Sequence, residues 1–144
     1  MKTFFSTIIL FGIFAVVSFS TVSCKKDKIE VINEVFDTTG SSRLATQSFI
    51  SDAHTTTGEL IIYNKGAELI YVFKNFKTDD GPNLEVWLCN SLLDVIGGGY
   101  LNLGDLKGIE GDFYYKAPAS TATFSYIVVW CTDFSVAFGH AFSI

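Results

Sequence analysis

Beyond Arg43 the chain is a succession of short apolar runs, each cut by turn residues before it reaches the length a stable helix needs. Glu59 to Tyr63 reads as a strand closed by Asn64-Lys65-Gly66. Glu68 to Phe76 is the longest strand candidate, with Leu69, Tyr71 and Phe73 on one face and Ile70 and Val72 on the other. Asp79-Asp80-Gly81-Pro82 is a turn: Asp tolerates tight geometry, Gly is free, and Pro presets its backbone angle. Leu84 to Cys89 is the next strand, followed by the Gly97-Gly98-Gly99 loop and the alternating Tyr100-Leu101-Asn102-Leu103. Asp112 to Lys116, ended by Ala117-Pro118-Ala119-Ser120, then Thr123 to Trp130 and Ser135 to Phe142 complete the set. About seven or eight short strands at this spacing predict an all-β fold, an antiparallel β-sandwich or a partly closed barrel. The one helical alternative is a turn or two around Ser91 to Val95. A content of 14 Phe and 6 Tyr suits such half-buried pleated surfaces.

The N-terminus obeys a different logic. Lys2 supplies a basic start, and Phe4 to Phe19 is an almost wholly apolar run of 16 residues without charge. That is the form of a signal-peptide core, and it falls short of the roughly 20 residues a spanning helix needs. The segment Thr21-Val22-Ser23-Cys24 resembles the lipobox of bacterial lipoproteins, in which the cysteine thiol receives a diacylglyceryl group before cleavage. Thr21 stands where Leu is usual in that motif. On this reading residues 1–23 are a lipoprotein signal peptide, Cys24 is the lipid anchor, 24–42 form a lipidated tether, and 43–144 are the folded domain. The charged Lys25-Lys26-Asp27 resembles the spacer of a group of bacterial lipoproteins, some of which are sent to the cell surface. The expected address is the cell envelope, on the outer membrane and facing the periplasm or the exterior. Within the tether, Ile29, Ile32 and Phe36 would line one side of a helix too short to stand alone, and Thr38-Thr39-Gly40-Ser41-Ser42 breaks it.

Charge and motifs exclude several function classes. Without the leader, nine basic side chains face 15 acidic ones, a balance that repels a phosphate backbone and argues against nucleic acid as a partner. No Gly-x-Ser-x-Gly elbow is present. Gly97-Gly98-Gly99 lacks the Lys and helix of a phosphate loop, and Asp79-Asp80 sits on a solvated turn. There is no Cys-x-x-Cys-His, so a covalently attached c-type haem has no signature here. His54 and His140 are the histidines of the chain, and they form no tight ligand cluster with any cysteine.

Four blocks in order carry a family likeness: FISDAHTTTG from Phe49, FKTDDGPNLEVWL from Phe76, LGDLKG from Leu103 and VVWCTDFSVAFGHA from Val128. Together, across Arg43 to Ile144, they resemble the DM13 domain, a β-sandwich module of extracellular proteins. The resemblance implies an electron-transfer accessory role, often beside DOMON-type and cytochrome domains, rather than an independent enzyme. It also implies a redox function for the cysteine that follows Trp130, which here is Cys131, and a redox protein as partner. Cys89 stands where other members commonly have serine. Gly81, Pro82 and Gly139 read as backbone necessities, and Trp130, Phe134 and Phe138 as core.

Three readings of Cys131 remain open at this level. It forms a disulfide with Cys89, it works as a thiolate or as a ligand, or it fills space as a small apolar residue. Under the second reading Cys89 would be its redox partner, His140 or His54 the weak candidates for a nearby base or metal ligand, and a non-covalent haem the cofactor. A rival of another class is a non-catalytic binding or scaffold lipoprotein that presents Asn90 to Gly99 to a protein or glycan.

Overall fold

The computed structural model describes residues 31–144; the leader, Cys24 and the tether as far as Glu30 lie outside the described residues. Two five-stranded sheets face each other. The first runs β1 (Ile32–Asn33), β8 (Glu110–Pro118), β5 (Glu68–Thr78), β4 (Thr56–Lys65) and β2 (Ser42–Ser48). The second runs β3 (Ile50–Ser51), β10 (Val136–Phe142), β9 (Tyr126–Cys131), β6 (Leu84–Cys89) and β7 (Tyr100–Asp105). All pairings are antiparallel except β1 with β8. Neither sheet closes on itself, so the architecture is a sandwich and not a barrel.

The core forms where the period-two apolar faces of both sheets meet. Leu69, Tyr71 and Phe73 of β5 point into it, as their alternation predicts, against Val86, Leu88, Ile127, Val129 and Cys131 of the opposite sheet. Phe73 is the hub: its ring lies 4.9 Å from Phe49, 5.1 Å from Phe76 and 5.0 Å from Phe113. Gly66-Ala67 makes the tight hairpin between β4 and β5, with Gly66 at φ 66°. Ser91 to Val95 forms turns and bends, not a helix, because Gly97-Gly98-Gly99 follows too soon for helical hydrogen bonds to propagate.

Phe134, read as core, is 65% exposed in the turn between β9 and β10, and two segments also differ from the pattern reading. Residues around Ile32 and Phe36 are extended rather than helical. Ile32 pairs beside Gly111 on the edge of β8, and Phe36 rests 5.4 Å from both Tyr63 and Tyr114 on the outer face of the first sheet. The Lys65 ammonium lies 5.2 Å from the centre of that Phe36 ring and donates to the Asp37 carbonyl at 2.9 Å. A sheet edge with free backbone groups satisfies this stretch better than a lone helical turn could. The second segment, β2, has no apolar alternation; it is a polar edge strand recruited by pairing with β4.

Truncating the hub, Phe73→Ala, should lower the unfolding free energy by about 3–5 kcal/mol, read from the midpoint of a denaturant titration at unchanged slope.

Candidate functional site

The blocks that carry the family likeness converge at one end of the sandwich. β9 ends at Cys131, whose register partners are Leu84 on β6 and Val136 on β10. Leu84, Cys131 and Val136 all face the space between the sheets. The chain crosses from β5 to β6 through Asp79–Asn83, and this loop roofs the cysteine. The Cys131 thiol donates to the Pro82 carbonyl at 3.1 Å. Pro82 is exposed while Cys131 is wholly buried, so the sulfur sits one residue beneath the surface.

Polar contacts hold the roof down. The Asn83 carbonyl accepts from the Thr132 N–H and hydroxyl, each at 3.2 Å. The Asn83 amide donates to Asp133 at 2.6 Å. Asn83 takes the left-handed conformation, φ 47°, which asparagine tolerates better than most residues. Gly81 is required for a separate reason: a Cβ there would run into the Phe138 ring.

On the far side of Phe138, His54 stacks with its ring centre 3.8 Å away. Its Nδ1 meets the Asp79 carboxylate at 3.2 Å, and that same oxygen accepts from the Thr55 N–H at 3.3 Å. His140 belongs to the opposite face of the second sheet, in register with Val128, and its Nδ1 meets Asp52 at 2.7 Å. Each histidine therefore has a carboxylate of its own, and neither bonds to Cys131. Among the described residues no group of three or more His, Cys, Asp or Glu is arranged to hold a metal.

Cys89 is not brought to this site. Leu84 is opposite Cys131 and Cys89 opposite Tyr126, which puts five rungs of the ladder between the two sulfurs. Five rungs span about 17 Å, against the roughly 7 Å between Cα atoms that a bridge allows. An odd offset also puts them on opposite faces: Cys131 in the core between the sheets, Cys89 on the outer face among Trp87, Val95, Val128 and Trp130. Both thiols are free. Burial pushes the Cys89 thiol up, partly offset by a backbone hydrogen bond at Ser91.

A haem does not fit at Cys131 in this arrangement. The thiol is enclosed, its hydrogen bond goes to a backbone carbonyl, and none of the three described cavities is lined by it. What the corner can do chemically is store a thiol: the thiolate, which is the nucleophilic form, has no hydrogen to give Pro82. Sequence reading found the cysteine, the loop and both histidines. It read Phe138 as core, which its burial bears out, and missed that His54 stacks on its ring.

The family model described as electron transfer DM13 matches residues 48–142, about two-thirds of the 144 residues. No curated protein and no solved structure matches the chain.

Iodoacetamide applied to the folded full-length chain should leave Cys89 and Cys131 unlabelled over the time an exposed thiol reacts to completion, and unfolding should release both. Peptide mapping by mass spectrometry reads this; early labelling of Cys131 would mean that the roof stands open in solution.

Proposed function

We propose a function on one premise: the chain belongs to the DM13 family. The chain is an envelope lipoprotein, anchored through Cys24, whose domain is an electron-transfer accessory module centred on Cys131. The observation that carries this reading is the position of Cys131, sealed yet separated from solvent by a single short loop.

On this reading the Asp79–Asn83 loop gates the sulfur. With the loop lifted, Cys131 loses its proton to solvent and attacks a disulfide of a redox partner protein. A sulfur–sulfur bond forms between Cys131 and one partner sulfur as the partner's own disulfide breaks. The leaving partner sulfur departs as a thiolate and takes up a proton. Cys131 is oxidised and the leaving sulfur is reduced, with Cys89 taking no part. The rival, a scaffold or binding lipoprotein, is favoured by the Asn90–Gly99 loop, where Leu93 is fully exposed and Ile96 half-exposed.

Two measurements test the proposal. Asp133→Ala removes the acceptor that holds Asn83, a hydrogen bond worth about 1 kcal/mol, so labelling of Cys131 should quicken about fivefold while Cys89 stays inert. With oxidised glutathione, the loosened chain should form a mixed disulfide that Cys131→Ser cannot; failure to form one sinks the thiol reading. For the anchor, Cys24→Ser should move the protein out of the membrane fraction, and unchanged retention would contradict the lipoprotein assignment.

A further inference from the structure

The outer face of the second sheet carries an aromatic stack that the site at Cys131 does not use. In a sandwich the outward faces of the strands are ordinarily polar, yet here the rungs beside β9 bear both tryptophans of the chain. Trp87 lies flat against Tyr100, with ring centres 3.8 Å apart and planes 7° from parallel. On its other side it stacks on Trp130 at 5.3 Å and 25°. Aromatic pairs commonly sit offset or edge-on at about 4.5–7 Å; the Trp87–Tyr100 pair is closer and flatter, which gives the two π-systems close face contact. Exposure falls along the stack, from 43% at Tyr100 to 5% at Trp87 and 7% at Trp130. The stack thus has one end in solvent and two rings withdrawn from it.

A carboxylate completes the arrangement. The Trp87 Nε1–H donates to Glu85 Oε2 at 2.6 Å, and the Asn102 amide donates to that same oxygen at 2.7 Å, fixing it in place. Indole and phenol are among the side chains that give up a single electron most readily. An oxidised indole is a strong N–H acid, so a carboxylate on that nitrogen receives the proton and makes electron loss easier. Burial alone gives the Trp87 N–H a need for an acceptor; that the acceptor is a carboxylate, a base able to take the proton, is what the relay uses.

We propose that Tyr100, Trp87 and Trp130 form a one-electron relay, with Glu85 as the proton acceptor of Trp87. A one-electron, metal-centred oxidant meeting the surface at Tyr100 withdraws an electron from Trp87 through the phenol ring. The Nε1 proton passes to Glu85, leaving a neutral indolyl radical and a carboxylic acid; when the reduced metal centre gives its electron back, the proton returns from Glu85 to Nε1 and the starting pair is restored. Trp130 continues in the chain to Cys131, so the relay ends at the strand that carries the sealed thiol. The relay rests on the electron-transfer reading of the domain but not on the reactivity of Cys131.

The test is photo-oxidation of the detergent-solubilised full-length chain with a ruthenium tris-bipyridine sensitiser and persulfate as final acceptor, read by transient absorption and electron paramagnetic resonance. Because both tryptophans lie in the stack, any indolyl radical reports on it. The wild type should give the neutral indolyl radical, and Trp87→Phe should lose most of that signal. Glu85→Gln, which keeps size and shape, should turn the signal into the protonated radical cation. Cys131→Ser should leave it unchanged. An indolyl signal that survives Trp87→Phe, an unchanged protonation state in Glu85→Gln, or a tyrosyl radical as the only product would each overturn the relay. Mixed-disulfide formation at Cys131 is read separately, so the thiol proposal and the relay can fail independently.

Discussion

The pleat of β9 organises everything of functional interest in this domain. The strand is central in its sheet, flanked by β6 and β10, and both of its faces are covered. Successive side chains must then go to opposite buried compartments. Ile127, Val129 and Cys131 enter the core between the sheets, while Val128 and Trp130 enter the outer cluster. A shift of one residue in register would exchange the sulfur and the indole. The apolar partners on both sides, Val86 and Leu88 inside and Trp87 outside, make that shift costly.

The same alternation explains why the two free cysteines lead separate lives. Both close apolar strands, and from sequence that shared position made a bridge between them plausible. Parity and register, which depend on which strands pair and where, separate them instead. Cys131 is met by the loop that crosses from the facing sheet into its own, and Cys89 by rings on its own sheet's outer surface. The local environment of each sulfur is written by residues far away in the chain, Pro82 for one and Val95 with Val128 for the other.

How much could be read in advance follows from what kind of force decided each element. The strands that bury an apolar face, such as Glu68–Thr78 and Leu84–Cys89, announced themselves because burial imposes a period of two on the sequence. The edge strand Ser42–Ser48 and the short Ile50–Ser51 did not, since backbone hydrogen bonding recruits them and leaves no side-chain signature. At the candidate site Cys131, the Asp79–Asn83 turn and the histidines were legible as residue types. The pairing of His54 with Asp79, of His140 with Asp52 and of Trp87 with Glu85 was not, because those contacts depend on loop paths and rotamers.

The docking of Ile32 and Phe36 pins the start of the described chain to the first sheet. Were Cys24 to carry acyl chains, as proposed above, the eight residue steps from it to the Ile32 pairing would reach at most about 28 Å when fully extended. That is comparable with the size of the domain itself. Under that proposal the domain would meet partners arriving along the membrane surface more readily than freely diffusing ones.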